Sequence, residues 1–161
     1  MLEELDRIDW DTLGSPQIPI WLKNLTILDV NANQEASRNL RDDLMPWEVF
    51  DGLYSERLLG LVRRDVSLLI IPFLIEILED DKVNSKVSVL TMLYYFALYK
   101  TLDQYVAETE REQYSLYSQR LFKKVHEGFE IYERLTHSNN EEINISAREF
   151  INLLKRESQN S

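Results

Sequence analysis

The chain of 161 residues contains no cysteine, which removes disulfide frameworks, zinc knuckles, thiol nucleophiles and iron–sulfur ligation together. Its two histidines, His126 and His137, are too few for a histidine-rich metal site. Only four glycines occur, Gly14, Gly52, Gly60 and Gly128, and their spacing allows neither a Gly-x-Gly turn nor a Walker-type phosphate loop. No proline follows Pro72 and no glycine lies between Gly60 and Gly128, so β-turn chemistry is nearly missing. The longest largely apolar runs, Val66 to Ile75 and Leu90 to Tyr99, fall well short of the roughly 18–20 residues of a membrane span. The first residues offer neither a basic region nor an apolar core of a secretory signal, so a cytoplasmic protein is expected. In that compartment the sequons at Asn24 and Asn144 are chance matches.

Positive charge is also scarce. Lys and Arg number 18 against 28 Asp and Glu, a net charge of −10. Phosphate binding needs a basic face, so nucleic acid is not an expected partner, and the short apolar runs leave no membrane expected either. The imbalance is one-sided: residues 1–81 hold 17 acids and 7 bases, whereas residues 82–161 hold 11 of each. A solvated surface that keeps a small protein soluble is the simpler account. The sharper one is an acidic face that steers and holds a basic protein.

What is present is helical periodicity. Apolar residues recur at helical spacing in Ile20, Leu22, Leu25 and Leu28, in Leu69, Phe73, Ile77 and Leu78, in Val83, Val87, Leu90 and Tyr94, and in Phe129, Tyr132 and Leu135. The expected class is all-α. Three segments also superpose without gaps: Asp29 to Ala36, Asp80 to Val87 and Asn140 to Ala147. Each opens on Asp or Asn, suited to accept the free N–H groups of a helix start. Each then places Ala32, Val83 or Ile143 three residues on, and Ala36, Val87 or Ala147 one turn later. An amphipathic stretch precedes each one, at Pro19 to Leu28, Leu68 to Leu78 and Phe129 to Thr136. Helix, polar turn and capped helix with a small residue at the packing point is the unit of a short α-solenoid. The expected plan is a single domain with an N-terminal cap at 1–15 and repeats near 16–45, 65–100 and 122–156. Helical insertions would occupy 46–64 and 101–121.

The run Leu5-Asp-Arg-Ile8-Asp9-Trp10-Asp-Thr-Leu13, followed by Ile18-Pro-Ile-Trp-Leu22, resembles the opening of bacterial HEAT-repeat proteins with their Leu-x-x-Ile-Asp-Trp-x-x-Leu signature. Ile71 to Leu78 is similar to that family's second-repeat helix and Val125 to Leu135 to its third. Where the family carries a His-Gln-Gly-type stretch, this chain has Met45-Pro-Trp-Glu-Val-Phe-Asp-Gly-Leu-Tyr54. The resemblance implies about three HEAT-like helical pairs with a helical insertion before the third. It also implies an interaction role, often that of an immunity protein encoded beside a toxin.

Candidate chemistry is thin. Glu133 and His137 stand one turn apart, but a di-metal bundle would need two Glu-x-x-His pairs and further inward glutamates, so a surface ion pair is the simpler account. His126 has no serine or cysteine motif to serve and reads as a packing or surface residue. Glu79-Asp80-Asp81 lacks the alternation, central glycine and terminal glutamate of a calcium loop. Glu108, Glu110 and Glu112, two apart, spread around a helix instead of converging. No catalytic residue, metal ligand or cofactor is expected.

Aromatic residues are more promising. Ser88, Met92, Tyr95 and Tyr99 form a stripe distinct from the expected core stripe of Val83, Val87, Leu90, Tyr94 and Ala97. Such a stripe is either a binding platform or the seat of the 101–121 insertion folding back. Trp47, Phe50 and Tyr54 lie on one face after Pro46, among Glu48, Asp51 and Glu56, as core or as an aromatic anchor in an acidic rim. The partner-binding candidates are therefore Asp42, Asp43, Trp47, Glu48, Asp51, Tyr54, Met92, Tyr95 and Tyr99. Trp10 is expected to plug the open end of the first repeat. The function expected is binding of another protein with a basic surface, most concretely a toxin such as a nuclease. A scaffold, chaperone-like or cofactor-lyase-type adaptor is the alternative; a HEAT-like DNA glycosylase would need a basic groove that a charge of −10 disfavours.

Overall fold

The structure, a computed structural model, describes residues 2–44 and 65–160. Seven α-helices account for most of them: α1 (Ile18–Asn24), α2 (Val30–Leu44), α3 (Asp65–Glu79), α4 (Lys86–Leu98), α5 (Arg111–His126), α6 (Phe129–Leu135) and α7 (Glu141–Gln159). Short 3-10 turns occur at Leu5–Arg7, Tyr99–Thr101, Asp103–Tyr105 and Glu108–Glu110. No strand occurs among the described residues, so these are all-α.

Neighbours in sequence pack as pairs, α1 with α2, α3 with α4 and α6 with α7. The second members also meet, α4 touching α2 on one side and packing most extensively against α7 on the other. Helix α5 lies across α3 and α4. Helix α4 is thus enclosed by four others, and its sequence explains why. Leu90, Met92, Leu93, Phe96 and Ala97 all lie within 1% of complete burial, and they cover more than one side of the helix. A helix apolar around its circumference can only be stable inside. The expected division of α4 into two stripes is not kept: Val87 and Tyr94 of the expected core stripe are half-buried, while Met92 and Tyr99 of the second stripe are buried, in line with the alternative of a covering 101–121 segment.

The expected repeat boundaries need two adjustments. Helix α5 runs unbroken across residue 122, where the third repeat was to begin. In the middle repeat Asp80 caps no helix; its Oδ1 accepts from the Lys82 backbone N–H at 2.9 Å within a turn, and α4 starts at Lys86. Ser85, at the cap position, instead donates its hydroxyl to the Leu25 carbonyl at 2.7 Å and ties the second pair to the first. The other two caps form as expected. Asp29 Oδ1 accepts from the backbone N–H groups of Asn31 and Ala32, and Asn140 Oδ1 from that of Ile143.

The first pair is closed by a non-helical segment. Trp10 is buried and donates its indole N–H to the Leu5 carbonyl at 2.9 Å, which satisfies its one polar atom. The Leu2 backbone N–H donates to Glu76 Oε1 at 2.9 Å, pinning the same segment to α3.

Candidate functional site

The acidic surface is assembled from two runs that are remote in sequence. Glu3, Glu4, Asp6, Asp9 and Asp11 accompany one base, Arg7; Glu76, Glu79, Asp80 and Asp81 accompany none. The Leu2–Glu76 hydrogen bond joins the first run to the helix that ends in the second. Apart from Glu76 and Asp80, which are half-buried, these carboxylates are exposed. Some of the charge is neutralised: Arg7 pairs with Glu4 at 2.9 Å, Lys23 with Asp6 at 3.3 Å, and the buried Lys86 with Asp81 at 3.8 Å. Asp9 is held below the ordinary carboxylate range, first by the Thr12 hydroxyl, which donates to Oδ2 at 2.6 Å, then by the Thr12 backbone N–H.

An apolar group stands exposed in the first pair. Ile20 is 52% exposed, Ile27 42%, Leu28 71% and Val30 55%. Ile20 and Leu28 belong to the apolar stripe expected to be core, but only Leu22 and Leu25 of that stripe are buried. For Leu28 the reason is length: α1 ends at Asn24, so Ile27 and Leu28 sit in the turn, where helical spacing no longer decides which way a side chain points. Two large apolar side chains in that turn, with Val30 at the start of α2 beyond exposed Asp29, are unusual for a solvated surface.

Of the partner-binding residues expected from the sequence, Trp47, Glu48, Asp51 and Tyr54 lie outside the described residues. Asp42 is exposed and Asp43 half-buried near the end of α2. A carboxylate there opposes the negative pole of the helix. Met92 and Tyr99 are corrected: burial removes both from any surface, because α5 and the turns before it pack on α4 and Tyr99. The Tyr114 hydroxyl of α5 donates to the Tyr99 carbonyl at 2.5 Å, which fixes this cover. Burial raises the Tyr99 phenol well above its usual range, and Tyr114 adds to the effect. Of the stripe, Ser88 and Tyr95 keep partial exposure.

Tyr95 lines a pocket of about 220 Å³ between α4 and α7, shared with Leu90, Thr91, Tyr94, Ser146 and Glu149. Two larger clefts flank α5. One, of about 710 Å³, is lined by residues including Lys100, Phe122, Lys123 and His126; the other, of about 700 Å³, by Leu13, Leu68, Leu69, Arg120, Lys123, Lys124 and Glu127. The cations have local work. Lys100 Nζ donates to the Glu157 carbonyl near the end of α7 at 2.7 Å and lies 4.6 Å from the Phe122 ring centre. Lys123, Lys124 and His126 occupy the last turn of α5, where positive charge suits the helix dipole. His126 stacks on Phe129 with ring centres 5.1 Å apart.

No group of His, Asp and Glu among the described residues is disposed to hold a metal ion. Glu133 and His137 are both exposed on the surface. No helix of the described residues is long and apolar enough to cross a membrane. Compared with protein-family models, curated proteins and solved structures, the chain matches none.

A further sequence signal marks the turns between paired helices. The three superposed segments also share Asn at their fifth position, in Asn33, Asn84 and Asn144. Asn33 is buried, and its Nδ2 donates to the carbonyls of Asn24 and Ile27 at 2.6 and 3.0 Å. Asn144 Nδ2 donates to the Ser138 carbonyl at 3.3 Å. In both pairs the side chain reaches back from the second helix to carbonyls left free at the preceding turn, which is why an amide is needed there.

Proposed function

We infer that this chain is a non-catalytic, HEAT-like helical-repeat module that binds another protein through its acidic N-terminal half. The observation that carries the reading is the Leu2–Glu76 hydrogen bond, which ties two acidic runs more than sixty residues apart in sequence to one helix. The exposed Ile27, Leu28 and Val30 add an apolar group that a partner would cover. A charged surface of one sign accelerates encounter, and buried apolar contacts slow release. The most concrete form is a cytoplasmic immunity protein neutralising a basic toxin, such as a nuclease whose own site is built to hold phosphate. The pairing of α1 with α2, α3 with α4 and α6 with α7, together with contacts among the second members, supports the repeat reading.

The test is affinity capture from the native cells at increasing salt. A captured basic protein that dissociates as salt rises, and whose toxicity the chain suppresses on co-expression, supports the reading. Binding indifferent to ionic strength would remove its electrostatic part. Leu28→Asp, at the most exposed of these side chains, is expected to weaken capture while leaving the helical content intact. The alternative, a scaffold or cofactor-lyase-type adaptor, is favoured by the cleft of about 710 Å³ beside α5, which is of a size for a small molecule. It predicts a co-purifying ligand, visible as an absorbance band or a mass shift.

A further inference from the structure

The turns of the first and third pairs share one hydrogen-bonding plan and carry opposite kinds of side chain. Ile27 and Ser138 are equivalent: each carbonyl accepts from the asparagine six residues on, Asn33 at 3.0 Å and Asn144 at 3.3 Å. The caps match as well, Asp29 accepting from the Ala32 N–H and Asn140 from that of Ile143, both at 3.2 Å. Yet the first turn reads Ile27-Leu28-Asp29-Val30 and the third Ser138-Asn139-Asn140-Glu141. A polar set therefore suffices to build this turn, and the plan gives no reason for Ile27, Leu28 and Val30, which are all exposed. They are not a scattered remainder. Of seven exposed large apolar side chains among the described residues, four lie within residues 20–30, a concentration that marks a contact site.

The turn of the second pair stands beside the first, because the Ser85 hydroxyl donates to the Leu25 carbonyl at 2.7 Å. At the positions of Leu28 and Val30 it carries Glu79 and Asp81, both exposed, with Asp80 between them. Lys82 is the exposed base of this turn; Lys86 is buried and lies 3.8 Å from Asp81. An apolar turn and an acidic turn thus form one edge, and Asp29 in the first adds charge of the same sign. We propose that this edge docks a basic element of the protein partner, its apolar side chains on Ile27, Leu28 and Val30 and its Lys or Arg against Glu79, Asp80 and Asp81. Charge decides against the other occupants. A second copy docked edge to edge would set the same carboxylates against one another, and an anionic membrane would be repelled by them. The assignment rests on the reading of the chain as a protein-binding module and names where that module makes contact.

The experiment is an NMR titration of the full chain with an amphipathic peptide of lysine and leucine. The controls are a lysine–serine peptide of equal charge and a glutamate–leucine peptide of the same apolar pattern. Saturable shifts are expected at residues 26–31 and 79–82, with the lysine–serine peptide at least about tenfold weaker and the glutamate–leucine peptide silent there. The deciding variant gives the first turn the side chains of the third, Ile27→Ser, Leu28→Asn and Val30→Glu together. Its added carboxylate suits the start of α2, so its melting temperature is expected to fall by no more than about 4 °C. Peptide affinity is expected to fall at least about tenfold, whereas a contact made by charge alone would tighten. A larger loss of melting temperature would show that these side chains serve the fold and overturn the assignment. So would equal binding of the lysine–serine peptide, or shifts confined to residues 3–11. Shifts of the peptide-free turn that change on dilution would give the edge to a second copy, and NOEs from residues 46–64 to the Leu28 methyls would give it to the chain itself; either overturns the proposal. If the peptide binds at this edge and the native cells yield no basic protein, the module reading falls and the edge stands. If a captured partner binds the triple variant unchanged, the edge falls and the module reading stands.

Discussion

The first and third helix pairs are built on one local plan, and the middle pair departs from it. In both outer pairs a helix of seven residues is followed by a short turn, an Asx residue that caps the next helix, and an asparagine that bonds back to the turn. In the middle pair the same residue types, Asp80 and Asn84, are present, yet Asp80 makes only a turn and Asn84 is exposed. The difference lies in the neighbours. Ser85 is drawn to the Leu25 carbonyl of the first pair and α4 starts at Lys86, so tertiary contact moved the helix start. A capping residue proposes a boundary; packing decides whether it is used.

The outer pairs also differ in how they are closed, and breaking each closure has the largest expected effect. Trp10→Ala opens the end of the first pair and is expected to lower unfolding free energy by about 3–5 kcal/mol, measured by urea denaturation. The third pair depends on Gly128. A Cβ there would lie 2.5 Å from the Tyr132 hydroxyl oxygen and 2.6 Å from its Cζ, and the ring, packed on Phe150 with centres 4.5 Å apart, has no room to retreat. Gly128→Ala is therefore expected to lower stability by about 1–3 kcal/mol, the clash adding to the poor fit of alanine at the N-cap of α6.

The asparagine series sharpens the comparison most directly. Asn33→Ala removes two buried donations and is expected to cost about 1–3 kcal/mol. Asn144→Ala, with one longer bond, should cost about 0.5–1.5 kcal/mol, and Asn84→Ala almost nothing. Equal losses at all three positions would mean that the middle turn behaves like the others in solution.

Two smaller effects concern pH. Burial raises the Tyr99 and Tyr132 phenols above their ordinary range; Tyr132 donates to the Val125 carbonyl at 2.7 Å, and Glu127 adds to its shift. The folded state then holds protons that the unfolded chain gives up. Their contribution is complete below about pH 10, the ordinary phenol value, and is lost as pH rises further. Denaturation midpoints should accordingly fall above about pH 10, with a shallower fall in Tyr132→Phe. Asp9 shifts the other way. Its lowered value means its contribution is present above the ordinary carboxylate range and fades as pH falls through the folded value. Thr12→Val, read by NMR titration of the Asp9 carboxyl, is expected to move that value back up.

Helix content, the two outer caps and the structural use of Trp10 were legible because they depend on residues a few positions apart. The exposed turn at Ile27 and Leu28 was not, because helical spacing continues in the sequence after α1 has stopped at Asn24. The closing of the Met92 and Tyr99 stripe was half legible. The even spread of apolar residues around α4 already requires a buried helix, but which elements bury it is a property of packing.

By itself the sequence determined what short-range chemistry can determine: an absence of strand and hairpin signals, the start of two helices at Asp29 and Asn140, and an excess of acid in one half. Tertiary structure alone decided that the acidic N-terminal run is tied to the helix bearing the second run, that α4 is packed against four other helices, and that Met92 and Tyr99 are buried. The physical reason is range. Caps and periodicity act within one or two turns of backbone, whereas a surface is defined by side chains that only packing makes neighbours.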